Sequence, residues 1–306
     1  MNGSIKAACV QAEPVVFDRE KTIDKLEQLT AEVAANGATL VVFPEAFVPV
    51  YPSSTWTKAL AAWSGPGAKA VFAAIAREAV AVPGADTERL GAIAREHGVV
   101  LAIGITEVEP KRPGTLYNTL LVHDADGRLA LAHRKLVPTN HERLVWGQGD
   151  GGGLGAVDTA VGRVGGLICW ENYMPLARFA LYDSGIEIYL APTADDGDSW
   201  QPTLVHIARE SRAYVVSPCH FQRASAYPDD FPLRDELDGV DVLGRGGSAI
   251  LGPDGEYLAG PLYDEEGILY ANLDPNRVLE ERQRFDPVGH YHRPDVLRLK
   301  VRPNQR

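Results

Sequence analysis

Cys169 stands where an apolar, strand-like run ends and a helix-like stretch is about to begin. The run 165–168 leads directly into the thiol, and Pro175 marks the expected first turn of a helix. A thiol at the carboxyl end of a strand, near a helix N-terminus, lies where partial positive charge favours the thiolate. A free cysteine is also commonly a small buried side chain of the core. The local sequence leaves both interpretations of Cys169 open.

Glu45 comes directly after a second short apolar run, 40–44. In open α/β sheets ligands bind outside the carboxyl ends of the strands, so a carboxylate here is a candidate functional group. Glutamate is mostly exposed in proteins, and a solvated loop acid is the alternative.

Lys135 and Glu142 are two further candidates. Strand alternation in the run 131–135 sends Arg134 and Lys135 to opposite faces, so that one of them points inward. An inward lysine requires a carboxylate partner or a chemical role, whereas an edge-strand lysine discourages aggregation. For Glu142 the local sequence favours an ion pair with a neighbour such as Arg143.

Short apolar runs alternate with amphipathic stretches along the whole chain. The runs predict a mixture of βαβ units and hairpins, and therefore mixed sheets covered by helices. We expect a single domain over residues 1–306, with a short C-terminal tail from about 285. The polar segment 222–245 predicts a surface insertion that forms an interface or a lid. The predicted elements closest to the candidate groups are the strands Ile5–Gln11, 39–43, 163–169, 187–190 and Gly267–Leu273 and the helices 19–36, 175–184, 201–211 and Pro275–Arg284.

The composition excludes several classes of protein. A formal net charge of −11 argues against nucleic acid or an anionic membrane surface as a partner. The first residues lack the charged flank and long apolar core of a signal peptide, and no segment reaches the ~20 apolar residues of a membrane span. The 3 cysteines include no Cys-x-x-Cys pair, so neither a disulfide framework nor a structural zinc site is predicted. The sequence therefore predicts a cytoplasmic protein.

Taken together, these segments resemble the nitrilase branch of the carbon–nitrogen hydrolase superfamily. The signature of that superfamily is a Glu, a Lys and a Cys in this chain order, each in a characteristic setting. The matching segments here are Phe43-Pro44-Glu45-Ala46-Phe47, His133-Arg134-Lys135-Leu136 and Leu167-Ile168-Cys169-Trp170-Glu171-Asn172. Further segments typical of nitrilases are 142–151, 266–274 and 286–296. The resemblance extends from Ile5 to Val296.

The resemblance implies an α/β fold, a four-layer α-β-β-α sandwich of two mixed sheets. It also implies hydrolysis of a small organic nitrile to the carboxylic acid and ammonia, with no cofactor and no metal. Cys169 would be the nucleophile, Glu45 the general base, Lys135 the electrostatic stabiliser and Glu142 an additional active-site carboxylate. A homodimer or higher homo-oligomer is implied too, although the short tail 297–306 argues against long filaments.

The chemistry explains why these residue types are needed. A nitrile carbon is a weak electrophile, so a deprotonated sulfur is the best protein nucleophile for it. A low-dielectric pocket would raise the pKa of Glu45 toward the working range of a base. An amidase or carbamoyl-amide hydrolase, or a cyanide-degrading enzyme, would use the same three residues and remains an alternative.

The substrate pocket is less well defined by the sequence. Its candidate lining residues are Tyr51, Trp146, Trp170 and Thr193, which lie in or beside loops near the proposed site. The glycines of 147–152 match the letters G-x-G-x-x-G. They neither follow a convincing strand nor open a helix, so a glycine loop beside the site is predicted and a dinucleotide site is not.

Overall fold

The computed structural model describes residue 3 and residues 5–302. Within these residues the chain forms two seven-stranded sheets and seven α-helices. The strands are β1 (Ile5–Gln11), β2 (Leu40–Val42), β3 (Val80–Ala81), β4 (Val100–Glu109), β5 (Arg112–His123), β6 (Leu129–Arg134), β7 (Val157–Thr159), β8 (Gly162–Gly166), β9 (Ile188–Leu190), β10 (Tyr214–Ser217), β11 (Phe221–Arg223), β12 (Val242–Leu251), β13 (Tyr257–Tyr263) and β14 (Gly267–Leu273). The helices are α1 (Arg19–Ala35), α2 (Ser54–Thr57), α3 (Pro66–Glu78), α4 (Ala85–His97), α5 (Pro175–Asp183), α6 (Trp200–Ser211) and α7 (Pro275–Arg284).

Both sheets are mixed. The first has the order β14-β1-β2-β4-β5-β6, with β3 beside β4, and the second has the order β11-β12-β10-β9-β8-β7, with β13 beside β12. In the first sheet β1, β2 and β4 are parallel neighbours, whereas β14, β5 and β6 are added antiparallel. In the second sheet β8, β9 and β10 are the parallel neighbours. The carboxyl ends of these parallel strands form an edge at which ligands commonly bind.

Strand alternation divides the apolar residues between the two faces of each sheet. In β1, Cys9 packs into a core between the two sheets, while Val10 packs outward against α1 and α4. On the outer face of the second sheet, Leu204 of α6 packs against Val215 of β10. The layers are therefore α-β-β-α, which confirms the expected fold class. No helix of residue 3 and residues 5–302 has the length and apolar character needed to cross a membrane.

Several element bounds predicted from the sequence are confirmed, and one that differs matters for the site. The strands Ile5–Gln11 and Gly267–Leu273 and the helix Pro275–Arg284 lie where they were expected. The strand predicted over 163–169 instead ends at Gly166. The chain then turns sharply, because Cys169 adopts a φ of 53° and begins a short 3-10 helix.

The segment 222–245, predicted as a surface insertion, lies largely at the surface but is anchored in the fold. This segment contributes to β11 and β12, and it buries Tyr227, Phe231 and Leu237 in a cluster with Trp56. The indole Nε1 of Trp56 donates a hydrogen bond of 2.8 Å to the Tyr227 hydroxyl. The large apolar side chains are spaced irregularly among polar residues, so neither a helical nor a strand period revealed them.

Candidate active site

Four buried side chains converge just beyond the ends of β2, β6 and β8. Glu45 follows β2, Lys135 follows β6, Cys169 follows β8, and Glu142 lies in a short 3-10 helix, Asn140–Leu144. One oxygen of each carboxylate and the sulfur of Cys169 lie within 4.8 Å of one another. The structure thus brings together four groups that lie in four separate segments of the sequence.

Lys135 joins the two carboxylates. Its Nζ donates hydrogen bonds of 2.7 Å to Glu45 Oε1 and 2.7 Å to Glu142 Oε2. Burial by itself lowers the pKa of Lys135, but the two carboxylates outweigh it and raise that pKa above its ordinary value. Lys135 is therefore the inward-pointing member of the pair, and Arg134 instead binds the carboxylate of Glu107.

Glu45 is held by three donors. Besides Lys135, the Asn118 side-chain amide donates to Glu45 Oε1 at 2.7 Å, and the Ala194 backbone N–H donates to Oε2 at 2.9 Å. Burial raises the pKa of Glu45 to about 7, against the opposing effect of Lys135. A carboxyl with such a pKa can accept a proton near neutral pH, as the sequence-based argument expected.

The backbone at Glu45 packs closely on β4. A Cβ atom added at Gly104 would lie 2.4 Å from the Ala46 nitrogen and 2.4 Å from the Pro44 oxygen, so only glycine allows this approach. On the other side, His220 Nε2 donates a hydrogen bond to the carbonyl oxygen of Glu45. Burial lowers the pKa of His220 to about 4, so the imidazole is neutral at working pH.

Cys169 lies on a tightly held turn. Its backbone N–H donates to Pro192 O at 2.9 Å, and the side-chain amide of Asn172 donates to Cys169 O at 2.8 Å and to Leu167 O at 3.0 Å. A positive φ at a residue other than glycine costs about 1–3 kcal/mol, and such strain persists only where neighbouring contacts maintain it. The contacts of Asn172 and Pro192 supply that restraint.

The surroundings of Cys169 act on its thiol in opposite directions. Burial, and then the negative charge of Glu45, raise the pKa of Cys169, while Lys135 lowers it in part. Burial and Glu45 thus oppose the thiolate that the neighbouring helix terminus was expected to favour, and that expectation stays a prediction. Moving the thiol proton to Glu45 leaves the net charge of the buried group unchanged, so the thiolate is reached more easily by this transfer than by loss of the proton to water.

Glu142 is bound through both of its carboxylate oxygens. Thr139 N donates to Oε2 at 2.7 Å, and the Tyr51 hydroxyl donates to Oε1 at 2.9 Å. The local sequence favoured an ion pair with Arg143 or another neighbour; the partner is Lys135, whereas Arg143 Nε donates to Pro138 O at 3.0 Å. Glu142 is thus directed to Lys135.

A family model described as carbon-nitrogen hydrolase matches residues 6–283, a range that includes all four converging side chains. The chain belongs to the carbon–nitrogen hydrolase family. This confirms the resemblance found in the sequence, and it makes the protein a hydrolase that acts on carbon–nitrogen bonds.

Relatives of this carbon–nitrogen hydrolase match over nearly the whole chain. An aliphatic nitrilase of Sinorhizobium fredii (strain HH103) is 47% identical over 298 residues, which are 97% of this chain and 95% of the relative. A bifunctional nitrilase/nitrile hydratase of Nicotiana tabacum is 43% identical over 305 residues, 98% of this chain and 86% of the relative. A crystal structure of a carbon-nitrogen hydrolase from Helicobacter pylori G27 superposes with a TM-score of 0.74 at 24% identity, covering 95% of this chain and 96% of that one. The superposition supports the fold.

The four candidate pocket residues of this hydrolase lie in different settings. Tyr51 touches Glu142, and its ring centroid is 6.0 Å from that of the buried Trp146. The Thr193 hydroxyl lies 3.2 Å from Cys169 Sγ. Trp170 is 51% exposed, and its Nε1 donates to Asp195 Oδ2 at 2.8 Å. The structure therefore places three of the four beside the buried groups and turns Trp170 outward.

Sequence reasoning missed a third buried carboxylate at the site, Glu171. Its Oε2 accepts from Ile168 N at 2.8 Å, its Oε1 accepts from Leu136 N at 2.7 Å, and His133 Nε2 donates to it at 3.0 Å. Burial alone would raise the pKa of Glu171, but His133 and the two backbone donors together lower it. Glu171 thus ties the residue before Cys169 to the residue after Lys135.

The other missed contacts come from outside the three motifs. Asn118 lies within β5, Ala194 contributes only a backbone N–H, and His220 follows β10. A polar amide inside an apolar strand was the available signal for Asn118. The backbone contact of Ala194 leaves no trace in the identity of a side chain.

The geometry disfavours both a metal site and a dinucleotide site. The oxygens of Glu45 and Glu142 and the sulfur of Cys169 are close enough to share a metal ion, but the ammonium of Lys135 already binds both carboxylates. In the glycine loop, a Cβ added at Gly149 would lie 2.2 Å from Arg134 O, and Gly149 N donates to Lys135 O at 2.8 Å. The glycine there serves close packing of the loop against the backbone that carries Lys135.

Proposed function

We propose that this carbon–nitrogen hydrolase is a nitrilase, which converts an organic nitrile and two waters to a carboxylic acid and ammonia. The observation that supports it most is the buried Lys135 that binds Glu45 and Glu142 beside the sulfur of Cys169. The choice of a nitrile over an amide rests on relatives named as nitrilases, at 47% and 43% identity.

In the first step Cys169 is the nucleophile and Glu45 the general base. The thiol proton moves to Glu45 while the sulfur forms a bond to the nitrile carbon. One π-electron pair of the C≡N bond moves to nitrogen, which takes a proton to give a thioimidate. The pKa of Glu45, about 7, suits both the acceptance and the return of that proton.

Two waters complete the reaction. The first adds to the thioimidate carbon, and the tetrahedral intermediate expels ammonia to leave a thioester. The second, activated by Glu45, adds to the thioester and expels the Cys169 sulfur, which regains its proton as the acid departs. Expulsion of sulfur in place of ammonia at the first tetrahedral intermediate yields the amide.

Lys135 stabilises the negative charge that develops during these steps. Its ammonium is buried, so its charge acts in a low-dielectric surrounding, where electrostatic stabilisation is strongest. The backbone N–H of Trp170 is proposed as a second donor. Glu142 keeps the ammonium in place through the hydrogen bond of 2.7 Å.

The proposal is tested with aliphatic, aromatic and arylacetonitrile substrates, cyanide, and the amides that correspond to the nitriles, with ammonia and acid both measured. We expect acid and ammonia from at least one nitrile class, and loss of that activity in Cys169→Ala. Cys9→Ala is the matched control, because Cys9 is a buried thiol of the core between the sheets. It should retain activity.

The same assay distinguishes the alternatives. Ammonia released from amides and not from nitriles would overturn the nitrilase proposal in favour of an amidase. Turnover of cyanide alone would assign the chain to cyanide degradation. Activity that survives Cys169→Ala would overturn the proposed nucleophile.

We further propose that the protein is one domain with a tail from about residue 285, assembled as a homodimer or higher homo-oligomer. The exposed side chains of Trp170 and Tyr173, whose ring centroids lie 5.5 Å apart, and of Leu176 at the start of α5 support an assembly, because exposed apolar side chains close together are typical of interfaces. Sedimentation equilibrium tests it, and a monomer at all concentrations would contradict it. The 3 free cysteines support the predicted cytoplasmic location, since reducing compartments keep thiols free.

A further inference from the structure

Thr193 makes a direct contact with the proposed nucleophile. Its Oγ1 lies 3.2 Å from Cys169 Sγ, and both side chains are buried. The backbone N–H of Asp195 donates to the same Oγ1 at 2.8 Å. The hydroxyl thus accepts from the Asp195 N–H and donates to the sulfur.

The segment 192–195, to which Thr193 belongs, also binds the proposed base. Pro192 O accepts from Cys169 N at 2.9 Å, and Ala194 N donates to Glu45 Oε2 at 2.9 Å. One short segment after β9 therefore contacts the backbone and sulfur of the nucleophile and the carboxylate of the base.

The backbone of Thr193 is itself hydrogen-bonded to the segment 218–220, which connects β10 to β11. Thr193 N donates to Pro218 O at 3.0 Å, and His220 N donates to Thr193 O at 3.1 Å. These bonds hold the hydroxyl in place before substrate arrives. A preorganised donor acts on developing charge without the cost of reorientation.

We propose that Thr193 is a further catalytic residue, whose hydroxyl donates a hydrogen bond to the sulfur of Cys169 whenever that sulfur carries negative charge. This rests on the proposed function of Cys169 as nucleophile. The charge appears twice: when the thiol proton moves to Glu45 before the S–C bond forms, and when the thioester S–C bond breaks and its electron pair returns to sulfur. The hydroxyl keeps its own proton in both steps.

The contact matters because the sulfur faces more negative than positive partners. The titratable groups that act on it are Glu45, Glu142, Lys135, Tyr51 and Cys219. Lys135 is the cation of this set, and it is shared with two carboxylates. A neutral donor stabilises the thiolate without adding a charge to the buried site.

The test compares Thr193→Val, which keeps the shape and loses the hydroxyl, with Thr193→Ser, which keeps the hydroxyl. Because Thr193→Val loses a hydrogen bond to a charged group, we expect kcat to fall about tenfold to a hundredfold, with KM changed by less than about twofold. Thr193→Ser should stay near the wild-type rate. Thr30→Val, the same change at a buried hydroxyl in α1, is the matched control and should leave kcat unchanged.

The second measurement is the pH dependence of Cys169 alkylation by iodoacetamide, which requires no nitrile turnover. The midpoint should rise by about one pH unit or more in Thr193→Val and stay in place in Thr193→Ser. Thr193→Ala gives the same comparison if Thr193→Val does not fold.

Three results would overturn the role of Thr193. They are a Thr193→Val kcat within about twofold of wild type, equal losses in Thr193→Val and Thr193→Ser, or an unchanged alkylation midpoint. If Thr193 served only as a structural acceptor for Asp195 N, the alkylation midpoint would be unchanged. Absence of nitrile hydrolysis by the wild type would overturn the proposed function, whereas the alkylation midpoint would still decide the role of Thr193.

Discussion

Lys135 and Glu45, 90 residues apart in the chain, are joined by a hydrogen bond of 2.7 Å between Nζ and Oε1 with both side chains fully buried. The bond places a cation beside the proposed base, which is buried away from water. It restrains the upward shift that burial imposes on the pKa of Glu45, which settles at about 7. The pair therefore makes the proposed base titrate close to neutral pH.

The first prediction concerns the pH dependence of the rate. As a base, Glu45 must be ionised, so kcat/KM should rise as pH increases through about 7. Glu45→Gln should lower the rate by about 10²- to 10⁴-fold and remove this rise. Initial rates of ammonia release on both sides of neutral pH provide the check. A rate that is flat through this range in the wild type would contradict the assignment.

The second prediction concerns the cation. Lys135→Met leaves two buried carboxylates without their partner, so it should abolish activity and lower the free energy of unfolding by about 3–5 kcal/mol. Adding Glu142→Gln removes one of the two charges and should restore part of that stability without restoring activity. Urea unfolding measures both effects.

Lys58→Met is the control for the loss of a lysine charge. Lys58 pairs with Glu236 at the surface, where an ion pair contributes about 0–1 kcal/mol. Its loss should have little effect on stability or rate. Equal destabilisation by Lys135→Met and Lys58→Met would argue that the buried pairs contribute little.

The third prediction concerns Glu171, which connects the Lys135 and Cys169 segments. Gln offers one acceptor oxygen where the carboxylate offers two, so Glu171→Gln leaves at least one donor unpaired among Ile168 N, Leu136 N and His133 Nε2. Unfolding should become easier by about 1–3 kcal/mol, and kcat should fall. Calorimetry and initial rates are the measurements, with the exposed Glu266→Gln as the control that should behave as wild type.

The fourth prediction concerns stability in acid. Burial lowers the folded-state pKa of His220 to about 4, from an ordinary value of 6.5. Its contribution to stability is therefore present above pH 6.5 and is lost as pH falls through about 4, a loss of about 3 kcal/mol. His220→Asn cannot take up this proton, so its unfolding free energy should decline less steeply over the same window. Parallel curves for the two proteins would show that His220 titrates normally.

The local sequence was enough to predict many of the helices and strands and to identify the candidate groups. β1, β14 and α7 have their expected bounds, because alternation, glycine and proline act over a few residues. The motifs around Glu45, Lys135 and Cys169 indicated the family without any knowledge of distances. The roles of these residues in the reaction stay predictions.

Only the tertiary structure decided which groups touch. The bond from Ala194 N to Glu45 spans 149 residues, and the contact of Thr193 with Cys169 spans 24. Such contacts depend on how two sheets pack, and no local period encodes them. The burial that raises the pKa of Cys169 likewise comes from the assembled core, which the residues around the thiol in the sequence do not reveal.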